Sequence, residues 1–211
     1  MLKIYGLSAY LPGLKGLIRD LRVTWTCEEM GIPHERISLN PATQEHKKTE
    51  YLKIHPMGKV PAIQDGEFKL FESAAICFYL ADKEKKLIPA AGTNERAIFH
   101  QWVFFITSQF EPHLARIFGA DHMMEKNSTT AELRKLALDV VEPALDVMDK
   151  HLADREFVMG SNFGIADIIL AASCRGLWET ELFTKRKSLS GYLKRIYERK
   201  SFQKAYAANG T

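Results

Sequence analysis

Residues 55–61 read HPMGKVP, and ten residues after the last proline the chain reads FESAAI at residues 71–76. Val60 precedes a proline, which favours an extended backbone. A cis Val60–Pro61 bond would turn the chain sharply and leave the Val60 N–H and C=O for a peptide laid alongside as an added strand. Ser73 opens an apolar helical pattern, where it can cap the helix and the first backbone amides form an anion site. Together the two segments predict capture of an extended peptide with a free carboxylate.

The first 82 residues alternate between strand and helix patterns. Asp65-Gly66 is a hairpin signal between two short strands. The order βαβ and then ββα is that of a thioredoxin-like α/β domain. The predicted elements are strands over 2–6, 35–39, 62–63 and 69–71, a helix over 17–30 that ends at Gly31, and a helix over 73–82.

Strand patterns nearly vanish after a charged linker at residues 83–92. Apolar residues at helical spacing predict long helices over 95–118 and 130–152, with bends at Pro112 and Pro143. The sequence therefore predicts an α/β thioredoxin-like N-terminal domain over residues 1–82 and an all-α C-terminal domain over residues 93–211.

The composition of the 211 residues is that of a globular protein, with 46% hydrophobic and 26% charged residues and a net charge of +3. So small a charge gives no reason to expect a nucleic-acid partner. The N-terminus lacks a signal-peptide core and no apolar run approaches the roughly 18 residues of a membrane span, so no membrane association is predicted. Cys27, Cys77 and Cys174 are widely spaced, which predicts buried free thiols in the reducing cytoplasm and no metal site.

The two opening segments resemble the glutathione site of the cytosolic glutathione transferases, which reads roughly Asn-Pro-x-Gly-Lys-Val-Pro and then Glu-Ser at a helix start. A third stretch, GIAD at residues 164–167, resembles the family's capping box. Gly164 stands there in place of the usual Ser or Thr, yet Asp167 can still accept from its amide. The resemblance covers most of the chain, favours a bacterial or theta-like type, and implies a homodimeric detoxification enzyme with glutathione as co-substrate.

The resemblance also assigns both ends of glutathione, γ-Glu-Cys-Gly, to residues of this chain. Glu72 would pair with the ammonium of the γ-glutamyl group, and Ser73 would bind its carboxylate. The remaining set comprises Val60 and Pro61 for the cysteinyl backbone, and Lys59 and His46 for the glycyl carboxylate.

The group that activates the thiol departs from the family pattern. Glutathione attacks as a thiolate, whereas a free thiol has a pKa of about 8.5. Family members use a Tyr near the end of the first strand or a Ser or Cys near the start of the first helix, and here the latter position falls at residues 17–18, Leu-Ile. The candidates are, in order, the hydroxyls of Ser8 and Tyr10 and the guanidinium of Arg19. Each has an ordinary structural alternative: Ser8 as a turn residue, Tyr10 as a residue that only lines the cleft, and Arg19, with Arg22, as a surface or domain-interface charge.

An electrophile pocket is expected between the two domains. Its candidate walls are Tyr10, Phe105, Gln109, His113, Phe118 and Trp178. Aromatic residues on helices are also ordinary core, and a histidine beside a proline is also a packed one, so both alternatives stay open. The leading hypothesis is conjugation of glutathione to small hydrophobic electrophiles. The alternatives are a glutathione-dependent isomerase, dehalogenase or peroxidase, or a non-catalytic glutathione-binding module.

Overall fold

The computed structural model describes residues 1–8 and 14–209, which divide into two compact units. The first unit comprises residues 1–88 and 198–209 as far as they are described, and the second comprises residues 89–197. The sequence grouped residues 198–209 with the helical domain. The structure instead packs the helix at Lys200–Ala208 against the helix at Asp20–Met30, which lies in the first unit.

The first unit is a four-stranded sheet with helices. Its elements are β1 (Leu2–Leu7), α1 (Asp20–Met30), β2 (His34–Leu39), a 3₁₀ turn (Glu45–Lys47), α2 (Thr49–Leu52), β3 (Ala62–Asp65), β4 (Phe68–Phe71), α3 (Ser73–Glu84) and α10 (Lys200–Ala208). The strand order is β2-β1-β3-β4, with β1 parallel to β2 and the other pairs antiparallel. This is the thioredoxin-like arrangement that the order of elements predicted.

The core of the first unit lies between the sheet and the helices. Ile4 on β1 pairs with Ile63 on β3, and both side chains are fully buried. Trp25 of α1 is also fully buried and packs against Phe202 of α10, with ring centroids 4.9 Å apart. Because Phe202 packs on Trp25, α10 is part of this core. Full burial of one such apolar side chain contributes about 1.5–3 kcal/mol.

Helix α1 begins at Asp20, three residues later than the apolar pattern predicted. Residues 15–17 form a turn, and Leu17 N donates to the Leu14 carbonyl at 3.0 Å. Arg19 is the N-cap residue, and its side chain makes no capping hydrogen bond. Asp20 in the first turn is an acidic residue, which suits the positive end of the helix dipole.

The second unit is helical. It consists of α4 (Asn94–Phe105), a π-helical segment (Ile106–Phe110), α5 (Glu111–His122), α6 (Ser128–His151), α7 (Ile165–Cys174), α8 (Glu181–Thr184) and α9 (Lys187–Tyr197). Helix α7 is its centre: residues 165–171 and Cys174 are buried, and α4, α5 and α9 contact it. No helix in the described ranges combines the length and apolar character needed to cross a membrane.

The single long helix predicted over residues 95–118 is divided in the structure. Pro112 lies in the first turn of α5, directly after the π-helical segment. Proline lacks the N–H that would continue the preceding ladder, and an early helical position tolerates it. The expected bend is therefore a change of helix type followed by a new helix start.

The capping interaction predicted for α7 is confirmed and extended. Asp167 accepts from the Gly164 amide at 2.8 Å, as the GIAD stretch indicated. It also accepts from the Val158 amide at 2.8 Å and from the Tyr192 hydroxyl at 2.7 Å. Because Asp167 is fully buried, three polar groups of the second unit depend on one carboxylate.

Candidate functional site

The turn at residues 55–61 is built as its sequence indicates. The Val60–Pro61 peptide bond is cis, and Gly58 N donates to the His55 carbonyl at 2.8 Å. The Tyr51 hydroxyl, from α2, donates to the Lys59 carbonyl at 2.6 Å. These bonds fix the backbone just before β3, where an added peptide strand would lie.

Gly58 brings the two basic segments of the predicted site together. It has a φ of 56° and packs against the His46 carbonyl and the side chain of Lys47. Lys47 Nζ also donates to the Met57 carbonyl at 2.8 Å. Lys59 is exposed, so this corner of the first unit presents positive charge suited to a carboxylate.

Glu72 holds a strained backbone conformation next to this corner. Its φ of 75° and ψ of 112° lie where non-glycine residues rarely occur. Such a conformation costs on the order of 1–3 kcal/mol and persists where the surroundings dictate it. It ends β4 abruptly, starts α3 at the next residue, and leaves the Glu72 carboxylate exposed.

Ser73 differs from its predicted capping role. The N-cap residue of α3 is Glu72, and no side chain caps the helix. Ser73 is the first helical residue and is 4% exposed. Its hydroxyl oxygen accepts from Nη1 of Arg22 at 3.1 Å. The serine is thereby oriented by a cation on α1 instead of by the amides of its own helix.

Arg22 is a functional candidate, although its sequence context indicated only a surface or domain-interface charge. It is 2% exposed and contacts Ser73, so it places a buried positive charge beside the first turn of α3. A signal was present in the sequence. Arg22 follows Ile18 by four residues and precedes Trp25 by three, which sets it on the apolar stripe of the helix.

His55 lies within this charged group. Its ring packs on Phe71 with centroids 4.7 Å apart and accepts at Nδ1 from the Met57 amide at 3.3 Å. Burial lowers the pKa of His55; the Glu72 carboxylate opposes this shift, while Lys59 and Lys47 add to it. A neutral His55 can keep accepting the Met57 hydrogen bond that shapes the turn.

The candidate thiol-activating residues lie at or beyond the end of β1. Ser8 N donates to the Leu39 carbonyl at 3.0 Å, and its hydroxyl lies 3.4 Å from the same oxygen. Tyr10 lies outside the described residues. Arg19 is exposed at the N-cap of α1. Ser8 and Arg19 thus flank the start of α1 on the first unit.

Apart from Tyr10, the candidate pocket residues lie in the second unit, where most of them contact other rings. Phe105 meets Phe110 edge to face with ring centroids 5.4 Å apart, and the tilted rings of Phe118 and His122 have centroids 4.6 Å apart. Gln109 is exposed in the π-helical segment. The other two candidates also have neighbours within this unit. His113 Nδ1 lies 3.4 Å from Arg116 Nη1, and the rings of Trp178 and Tyr197 meet edge to face with centroids 5.0 Å apart.

Family comparisons agree with this architecture. The N-terminal domain model of glutathione S-transferases matches residues 13–82, and the C-terminal domain model matches residues 109–195. The curated glutathione S-transferase F12 of Arabidopsis thaliana is 32% identical over 198 residues, covering 86% of this chain and 89% of that protein. The chain therefore belongs to the glutathione S-transferase family.

Solved structures give the same result. Glutathione transferase F2 of Populus trichocarpa superimposes with a TM-score of 0.84 at 29% identity, covering 99% of this chain and 98% of that one. A family member from Pseudomonas fluorescens, solved with two glutathione bound, gives 0.87 at 26% identity, covering 97% and 92%. The fold of an α/β glutathione transferase N-terminal domain with a helical C-terminal domain is thus established for this chain.

Proposed function

We propose that the protein is a glutathione transferase that joins the glutathione thiolate to small hydrophobic electrophiles. The observation that carries this proposal is the cluster on the first unit, where Ser73 with Arg22 behind it and Glu72 beside it lie near the basic corner of His46, Lys47 and Lys59. Acidic and basic groups separated in this way match the charges of the γ-glutamyl and glycyl ends. Relatives with glutathione bound support the same ligand.

The binding roles follow from these charges. The γ-glutamyl carboxylate would accept from the Ser73 hydroxyl and amide, favoured by the helix dipole and by Arg22. Its ammonium would pair with Glu72. The cysteinyl backbone would pair with Val60 before Pro61 as an added strand.

The glycyl carboxylate would lie at the basic corner. Lys59 is exposed and free to reach it, and His46 lies beside Gly58 on the same corner. Charge-assisted hydrogen bonds of this kind contribute about 1.5–3 kcal/mol each. Binding at both ends holds the sulfur in place, which raises the effective concentration of the nucleophile.

Activation of the sulfur would fall to Ser8, Tyr10 or Arg19, each of which favours the thiolate by a hydrogen bond or a positive charge. The protein's own thiols are poor substitutes. Burial raises the pKa of Cys77 to about 11 and raises that of Cys27 well above its usual range. The electrophile would be received by Phe105, Gln109, His113, Phe118 and Trp178.

The proposal is tested by the ultraviolet band of bound glutathione thiolate, titrated with pH. The wild type is expected to show a band with a lowered pKa, which one of the Ser8→Ala, Tyr10→Phe and Arg19→Ala variants loses.

Ser73→Ala tests the binding role separately. Its dissociation constant for glutathione should rise about tenfold while the protein stays folded. Binding without thiolate at neutral pH would favour a non-catalytic module, and no binding would remove the glutathione assignment. A product that retains the glutathione moiety distinguishes conjugation from isomerisation.

We propose further that the enzyme is a homodimer and that α6 lies in the interface. Four exposed apolar residues of α6 support this: Leu133, Leu136, Val140 and Val147 are 41%, 56%, 41% and 50% exposed. With 3.6 residues per turn, their spacings of three, four and seven place them within an arc of about 60°. So narrow an exposed apolar stripe suits burial against the same stripe of a second copy.

Leu136→Glu is expected to yield a monomer, since a carboxylate within the stripe would lose its hydration on association. Light scattering after size exclusion should give one chain mass of 24.0 kDa for this variant and twice that for the wild type. Met123→Glu alters an apolar residue, 60% exposed, that lies outside the stripe, and should remain dimeric. A wild type at one chain mass would contradict the proposal.

We propose a cytoplasmic location and the domain limits that the sequence predicts. Cys27, Cys77 and Cys174 are buried free thiols, which supports a reducing cytoplasmic setting and a detoxifying role there. We retain the domain limits 1–82, 83–92 and 93–211, apart from the C-terminal helix that packs on the first unit. The bacterial or theta-like type stays a prediction, and the curated relative described above is a plant protein.

A further inference from the structure

A buried polar circuit connects helix α1, strand β2 and the C-terminal segment. Asp20 is fully buried, and Asn209, directly after α10, is 1% exposed. Arg36 Nε and Nη2 donate to Asp20 Oδ2 at 3.0 and 2.8 Å. Asn209 Nδ2 donates to Asp20 Oδ1 at 3.0 Å. Both oxygens of one carboxylate are thus held by side chains from distant parts of the chain.

The two partners of Asp20 also reach both ends of the segment between β1 and α1. Arg36 Nη2 donates to the Leu7 carbonyl at 2.8 Å, at the end of β1. Gly16 N donates to Asn209 Oδ1 at 2.8 Å, just before α1. The circuit therefore fixes Leu7 at the end of β1 relative to Gly16 and to the first turn of α1.

Strand β1 makes room for this circuit. A Cβ on Gly6 would overlap Asp20 Oδ2 and would lie 2.7 Å from Arg36 Nη2. Burying a charged pair carries a desolvation cost that apolar residues of similar volume would avoid. The circuit is therefore weak evidence for added stability.

We propose that Asn209 is a positioning residue for the thiol-activating segment. It would hold Ser8, which follows Leu7 at the end of β1, and Arg19 at the start of α1, the two described candidates for stabilising the glutathione thiolate. The inference rests on the proposed function and adds that the C-terminal segment controls activation without touching substrate. A displacement of about 1 Å in a reacting group can reduce the rate on the order of a hundredfold, so this hold has a measurable effect.

The test compares two asparagine variants of the full chain. Asn209→Ala removes both of its hydrogen bonds in the circuit. Asn127→Ala is the matched control, because Asn127 Oδ1 accepts from Thr130 N at 2.9 Å as the N-cap of α6 in the other unit. Both variants lose stability, but only Asn209→Ala should raise the pKa of bound glutathione by about one unit and lower kcat about tenfold at neutral pH. The dissociation constant of glutathione should change less than kcat.

Rescue gives a readout that general destabilisation would not produce. The double variant Asp20→Asn with Asn209→Asp exchanges carboxylate and amide, so it should recover most of the thiolate shift lost in Asn209→Ala. Asn209→Ser, which keeps an acceptor for Gly16, serves if Asn209→Ala does not fold. A wild-type thiolate pKa and kcat in the variants would overturn this inference alone, whereas a wild type without a thiolate band would overturn the proposed function itself.

Discussion

Gly58→Ala is expected to lower the affinity for glutathione on the order of tenfold to a hundredfold, as expected for the loss of one charge-assisted hydrogen bond or more. Gly58 has a φ of 56°, and an added Cβ would overlap the His46 carbonyl oxygen. It would also lie 3.0 Å from Lys47 Cδ and 3.1 Å from Leu52 Cδ2. A backbone atom cannot swing aside as a side-chain end can, so the His46–Lys47 segment must move away from Lys59.

Gly66→Ala is the matched control for this substitution. Gly66 has a φ of 63°, but a Cβ there meets nothing within 4 Å. Both variants carry the left-handed backbone penalty of about 1–2 kcal/mol, and only Gly58→Ala carries the overlap. Calorimetric titration of glutathione against both variants separates the two effects. Equal affinities in the two variants would show that the basic corner does not bind the ligand.

Asp167→Ala is expected to destabilise the protein by at least about 3 kcal/mol, because each of three buried donors left without an acceptor costs about 1–3 kcal/mol. The Val158 and Gly164 amides and the Tyr192 hydroxyl, which now donate to this carboxylate, would be left buried without an acceptor. Urea unfolding should therefore show a strongly lowered midpoint. Asp154→Ala, which removes an exposed carboxylate paired with Arg155, should change the free energy of unfolding by less than about 0.5 kcal/mol.

The pH dependence of this effect has a definite sign. Burial raises the pKa of Asp167 to about 6, although its three hydrogen bonds act to lower it. The pKa of an aspartate in the unfolded chain is about 3.9. As the pH falls, the Asp167 carboxylate of the folded state is therefore protonated at a higher pH than that of the unfolded state. The stabilisation from this group is fully present below about pH 4 and declines as the pH rises through about 6. The gap between wild type and Asp167→Ala should be widest in acid, and a gap that widens towards neutral pH would contradict this assignment.

The turn and the strand-to-helix junction that carry the proposed glutathione contacts could be predicted because their motifs are local. Lys59, Val60 and Pro61 belong to one turn, and Glu72 and Ser73 to one strand-to-helix junction, so short-range backbone rules and the family resemblance sufficed. The capping role predicted for Ser73 is wrong. The sequence indicated a helix start, but it could not show that the Arg22 guanidinium from another helix donates to the Ser73 hydroxyl. The thiol activator could not be identified from a loop longer than the family pattern.

The sequence by itself determined the alternation of strands and helices, the turn before β3 and the capping of α7 by Asp167, because each depends on residues close together in the chain. Only the tertiary structure decided that α10 joins the first unit, since an amphipathic helix has the same pattern whichever core it covers. It also decided that Asp20, Arg36 and Asn209 form one circuit. Their hydrogen bonds span 16 and 189 positions along the chain, and no periodicity encodes a contact between side chains that only folding brings together.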